Sequence, residues 1–95
     1  MREDFKEVYH AFVTKYGERS QRMQCIEEMS ELIKELCKLE RYKGTDKEKA
    51  VIENIKEEIA DVLNMVEQLE YVYGEEDIEK IRDAKIARGK NLYLK

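Results

Sequence analysis

Residues 45–74 read TDKEKAVIENIKEEIADVLNMVEQLEYVYG, and this stretch decides the fold. Ile52, Ile55, Ile59, Val62, Val66, Leu69 and Tyr73 recur at three- and four-residue intervals, the period of one face of an α-helix. Thr45-Asp46-Lys47-Glu48 matches a capping box, which predicts the helix start, and Gly74 stops it. Upstream, a second helix is expected from roughly Arg19 to Tyr42, with Ile26, Met29, Ile33 and Leu36 as its spine and Gly44 behind it. Before that, Phe5, Val8, Tyr9, Phe12, Val13 and Tyr16 form another helical stripe, closed by Gly17. A short fourth helix is expected from Glu75 to about Arg88 or Gly89. The connections are brief, so neighbours run antiparallel. These readings predict one all-α domain over residues 1–95, an antiparallel bundle of about four helices completed by oligomerisation.

Composition agrees. The 95 residues hold no Pro, no Trp and four Gly, too few turn formers for a β fold. Charged and hydrophobic residues each make up 42%, as in amphipathic helices. A chain this short buries only about 60–70% of its unfolded surface, so self-association is expected. The net charge of −4 argues against a nucleic-acid polymer as partner. That charge is unevenly spread. Residues 80–95 carry Lys80, Arg82, Lys85, Arg88, Lys90 and Lys95 against Asp83 alone, net +5, which leaves −9 on the first 79 residues. No apolar run follows Met1-Arg2-Glu3-Asp4, and no stretch matches a membrane span. Cys25 and Cys37 on one helix stand roughly 18 Å apart, too far for a disulfide. A reduced, cytoplasmic protein is expected. His10 lies opposite the first stripe, where a solvated histidine belongs.

Two motifs carry chemistry: Glu28-Met29-Ser30-Glu31 and Glu58-Ile59-Ala60-Asp61. Each sets two carboxylates at i and i+3, neighbours on one helix surface. On a wheel of about 100° per residue, Glu58 falls on the packed side of its helix and Asp61 at the border. Glu28 falls at the edge of its apolar arc, with Glu31 further round. Four carboxylates meeting between two antiparallel helices repel one another unless a cation joins them. Oxygen ligands alone favour a hard divalent ion, Mg²⁺ or Mn²⁺. Spacing by itself fits two solvated acidic edges equally well. A di-iron site needs Glu-x-x-His on two helices, and His10 is in neither motif. On the fourth helix Ile78, Ile81, Lys85, Arg88 and Leu92 share a face, so Lys85 and Arg88 are expected to turn inward, toward a polyphosphate or the acidic cluster.

Glu28-x-x-Glu31, 26 residues, then Glu58-x-x-Asp61 resembles the motif of the MazG-like all-α nucleoside triphosphate pyrophosphohydrolases. Tyr16-Gly17, Gln21 and Cys25 to Leu32 look like that family's first motif helix, Glu57 to Leu63 like its second, and Lys85 to Arg88 like its phosphate-binding end. The resemblance spans roughly residues 5–92. It implies a helical bundle completed by dimerisation or tetramerisation, and Mg²⁺-dependent cleavage of a nucleoside triphosphate to the monophosphate and pyrophosphate. It further implies Glu28, Glu31, Glu58 and Asp61 as metal-binding and catalytic residues and Lys85 and Arg88 on the phosphates. Gln21 and Gln24 are candidates to face the nucleotide, or are exposed helix residues. Two competing expectations are a non-enzymatic helical assembly protein and, on the same fold, hydrolysis of a phosphoribosyl nucleotide.

Overall fold

Glycines set the helix boundaries. The computed structural model describes residues 2–94, in which α1 spans Glu3–Tyr16, α2 Glu18–Tyr42, α3 Glu48–Tyr73 and α4 Glu75–Tyr93. No strand occurs among the described residues, so the chain is the all-α bundle that its periodicity predicts. Gly17 and Gly74 sit at φ 85° and 113°, a region that side chains disfavour. Their N–H groups close the preceding helices on the carbonyls of Val13 and Glu70. An added Cβ at Gly74 would meet Asp77 Oδ2 at an ordinary 3.6 Å, so only backbone strain opposes substitution there. Gly74→Ala is accordingly expected to lower unfolding stability by about 1–3 kcal/mol in urea titrations, with the far-ultraviolet helix signal retained.

Two boundaries differ from expectation. Thr45 does not form a reciprocal capping box with Glu48. Its hydroxyl accepts from the Lys47 N–H and donates to the Tyr42 carbonyl, a local turn that precedes the helix start at Glu48. Helix α4 does not stop near Gly89 but continues to Tyr93. One glycine in a helix costs only about 1 kcal/mol, too little to break it.

The α2–α3 hairpin makes most of the interhelical packing. Its seam on α2 is the row Gln21, Cys25, Glu28, Leu32, Glu35, Leu39 and Tyr42, buried or half-buried throughout. On α3 it is Val51, Ile55, Glu58, Val62, Met65, Leu69 and Val72, with Gln68 buried beside it. Both rows advance by alternating fours and threes, the 3.5-residue spacing of helices packed in close register. The expected α2 spine is therefore corrected. Ile26, Met29, Ile33 and Leu36 are exposed in the single chain, because each stands one residue past the seam.

On α3, Ile52, Ile59, Leu63 and Tyr73 are exposed for the same reason. Each row lies about 100° from its seam, and because the helices are antiparallel both rows fall on one face of the hairpin. Helix α1 packs on the other face. Its buried Tyr9 donates a hydrogen bond to Glu67, and His10, exposed as expected, bonds Tyr71 at 2.6 Å. Val8, Phe12 and Tyr16 of the α1 stripe stay exposed. Among the described residues helix α4 packs on α3, and its first residue, Glu75, also pairs with Lys6 at 3.3 Å. Cys25 and Cys37 are free thiols. Among the described residues, no helix is long and apolar enough to cross a membrane.

Candidate functional site

The seam brings the two acidic motifs together. Glu28 and Glu58 occupy facing seam rows, and Asp61 follows Glu58 by one turn. One carboxylate oxygen from each of Glu28, Glu58 and Asp61 lies within 4.8 Å of the others. Glu28 and Glu58 are half-buried and Asp61 is exposed. Glu31 is exposed and stands outside this triad, although its charge still acts on Glu58. Glu31 and Asp61 sit three residues past the seam, about 60° round in the sense opposite to the apolar rows. The carboxylates therefore open on the face that α1 occupies, away from the apolar face.

Glu58 carries the electrostatic strain. Loss of solvation raises its pKa above 4.5, and the charges of Asp61, Glu28, Glu31 and Glu35 raise it further. Its Oε2 is buried without a hydrogen-bond partner, and so is Oε2 of Glu35, one heptad beyond Glu28. Oε1 of Glu35 meets Lys38 at 3.2 Å.

A carboxyl whose folded pKa is raised favours the folded state at low pH and disfavours it as pH rises through that value. The metal-free protein should thus gain stability from this group as pH falls from 7 toward 4.5. In Glu58→Gln that component is expected to vanish. The check is the difference in urea midpoint between wild type and variant across that range, which should narrow with acidification.

A cleft of about 440 Å³ adjoins the carboxylates, between α1 and the hairpin. Phe12 and Tyr16 form one wall, and Ser20, Gln21, Gln24, Met65 and Gln68 form the rest. Gln21 is buried, whereas Gln24 is exposed and donates to Glu28 Oε1 at 2.9 Å, linking cleft and triad. Gln68 is buried, with Nε2 on Met65 Sδ at 3.6 Å and Oε1 without a partner. An aromatic wall facing amide groups offers both stacking and hydrogen bonds to a flat polar ring.

Lys85 and Arg88 do not turn inward. Both are exposed, neither has an ion pair among the described residues, and α4 makes no packing contact with α2. The face-sharing of Ile78, Ile81, Lys85 and Arg88 is real helical periodicity, but that face extends past the end of the α3–α4 contact. Two buried residues went unread in the sequence: Glu35 on the seam, seven residues after Glu28, and Gln68 beside it, seven after Asp61. The heptad interval was the signal for both. No family model matches the chain, and neither a curated protein nor a solved structure matches it.

Proposed function

We propose that this chain is a divalent-metal-dependent pyrophosphohydrolase, which cuts a nucleoside or deoxynucleoside triphosphate to the monophosphate and pyrophosphate. The observation that carries this reading is the convergent triad of Glu28, Glu58 and Asp61, with a buried, unpartnered Glu58 oxygen, beside a cleft walled by aromatic rings and amides. Three carboxylates with no nitrogen or sulfur donor suit Mg²⁺ or Mn²⁺ rather than zinc. When bound, such an ion supplies charge neutralisation on the phosphates and a more acidic water.

The chain's own residues do the rest. Glu28, Glu58 and Asp61 would hold the ion, with Glu31 on the same edge just outside the triad. Gln21 and Gln24 orient the nucleoside, and the Gln24 bond to Glu28 keeps that carboxylate aimed. Lys85 and Arg88 bind phosphate. We place the enzyme in the cytoplasm as a homodimer or homotetramer.

A purely structural assembly protein is the competing reading, and the apolar face of the hairpin favours it. A panel of nucleotides, including a phosphoribosyl nucleotide, incubated with and without Mg²⁺ and resolved by chromatography, decides. Monophosphate and pyrophosphate, both lost on chelation, are the expected products. Release of single phosphate would overturn the mechanism, and no turnover of any nucleotide would leave the assembly reading.

A further inference from the structure

Among the described residues, Gln68 is the one amide side chain with a buried oxygen that meets no donor. The residue is only 5% exposed. Its Nε2 faces Met65 Sδ at 3.6 Å. A thioether sulfur accepts a hydrogen bond but has no hydrogen to give, so the end of the amide turned away from it is the carbonyl oxygen. Native chains keep few buried acceptors in this state, and each calls for a partner.

Position shows where a partner can come from. Gln68 lines the cleft of about 440 Å³ between α1 and the hairpin, and it also lines a hollow of about 260 Å³ beside that cleft. Phe12 is the other side chain common to both spaces. At 41% exposed, it is able to change rotamer as a ligand enters. Gln24, on the opposite wall of the cleft, has the same polarity. Its Nε2 donates to Glu28 Oε1 at 2.9 Å. Both amides thus turn their nitrogen to the chain and their oxygen away from it.

We infer that Gln68 reads the base of the nucleotide, its carbonyl oxygen accepting from an exocyclic amine. The substrates are then nucleotides of cytosine or adenine, which carry that amine, rather than of uracil, thymine or hypoxanthine, which carry a carbonyl in its place. The inference rests on the pyrophosphohydrolase reading for the phosphate chemistry, but the choice of base does not require hydrolysis. An amine presents hydrogens to Gln68 Oε1. A carbonyl there presents only lone pairs and would oppose two desolvated acceptors. The ring N–H of such a base stands beside that same carbonyl, which keeps the two oxygens close. Stacking does not choose, because Phe12 and Tyr16 offer a π-face that every base can use. Size does not choose either, since the cleft falls within the range of about 300–1,000 Å³ that small ligands occupy. The amide therefore carries the selection.

Two pairs of monophosphates that differ at this group test the inference: dCMP against dUMP, and AMP against IMP. Titration calorimetry on the full chain, without metal or turnover, should find the amino member of at least one pair binding about 10–100-fold tighter than its oxo counterpart. Gln68→Met keeps the side-chain volume and removes the orphan acceptor, so its urea midpoint should equal or exceed that of wild type. In that variant the ratio should fall to about one. Equal binding within both pairs, a preference that survives Gln68→Met, or binding of none of the four overturns the inference. An ordered water as the only partner of the oxygen would give such a result.

Turnover separates this inference from the reading beneath it. A preference for dCMP or AMP that Gln68→Met abolishes, in a protein that hydrolyses no triphosphate, sustains the base contact and removes the enzymatic reading. Equal hydrolysis of dCTP and dUTP, and of ATP and ITP, sustains the enzyme and overturns the base contact.

Discussion

Glu58→Gln is expected to reduce hydrolysis more than a hundredfold and to abolish the stabilisation that Mg²⁺ gives the wild type. The substitution keeps the shape of the side chain and removes its charge. Perturbing residues that merely support metal ligands costs about 10–100-fold, so loss of a ligand in the triad should exceed that range.

An ion that binds only the folded chain stabilises it by about 2.7 kcal/mol at a hundredfold excess over its dissociation constant. In a domain of this size that is a rise in Tm of roughly 10–20 °C. The variant should show little of it, while its metal-free stability is equal to or above wild type, because an unpartnered buried oxygen and four repelling neighbours have been relieved. Low activity in a well-folded, metal-insensitive variant separates ligand loss from unfolding. Glu53→Gln, an exposed carboxylate on the same helix paired with Lys56, should alter neither readout. A wild-type Tm indifferent to millimolar Mg²⁺, with and without a non-hydrolysable triphosphate, would remove the metal site.

The sequence-level wheel put Glu58 on the packed side of α3, and its partial burial agrees, but the reason differs from the one the wheel supplied. A wheel finds the direction in which apolar residues accumulate. On α2 that direction is Ile26, Met29, Ile33 and Leu36, and the folded chain leaves it in solvent. The row that meets α3 is polar at every seventh position, Gln21, Glu28 and Glu35, and a hydrophobicity count passes over such a row.

Helix limits were legible because Gly17, Gly44 and Gly74 act locally, through their own backbone. The course of α4 was not, because it depends on contacts beyond its own residues. Periodicity placed Lys85 and Arg88 on one face correctly, yet it carries no statement of what that face meets. The acidic motifs were legible as paired carboxylates, since i, i+3 spacing and residue type are local. Their convergence needed the register of two helices, and Glu31 falls outside the triad for that reason.

The apolar face yields the other large effect. Ile33 and Leu63 are 61% and 59% exposed, so most of each side chain lies outside the packing of one chain. Replacing both with Asp should therefore leave the four helices formed, with the far-ultraviolet helix signal kept. In a two-fold interface each position occurs twice, so the double variant removes four apolar side chains and inserts four charges. At about 1.5 kcal/mol for each lost burial the interface weakens by about 6 kcal/mol, or roughly four orders of magnitude in Kd, before repulsion is counted. Sedimentation at micromolar concentration should then find the variant at the 11.4 kDa chain mass and the wild type at a multiple of it. Hydrolysis measured alongside tests whether activity depends on assembly, because the apolar row and the carboxylates lie on different faces of the hairpin. A wild type that sediments as a stable monomer would contradict the interface. A monomeric double variant with full activity would leave the interface standing and show that hydrolysis needs only one chain.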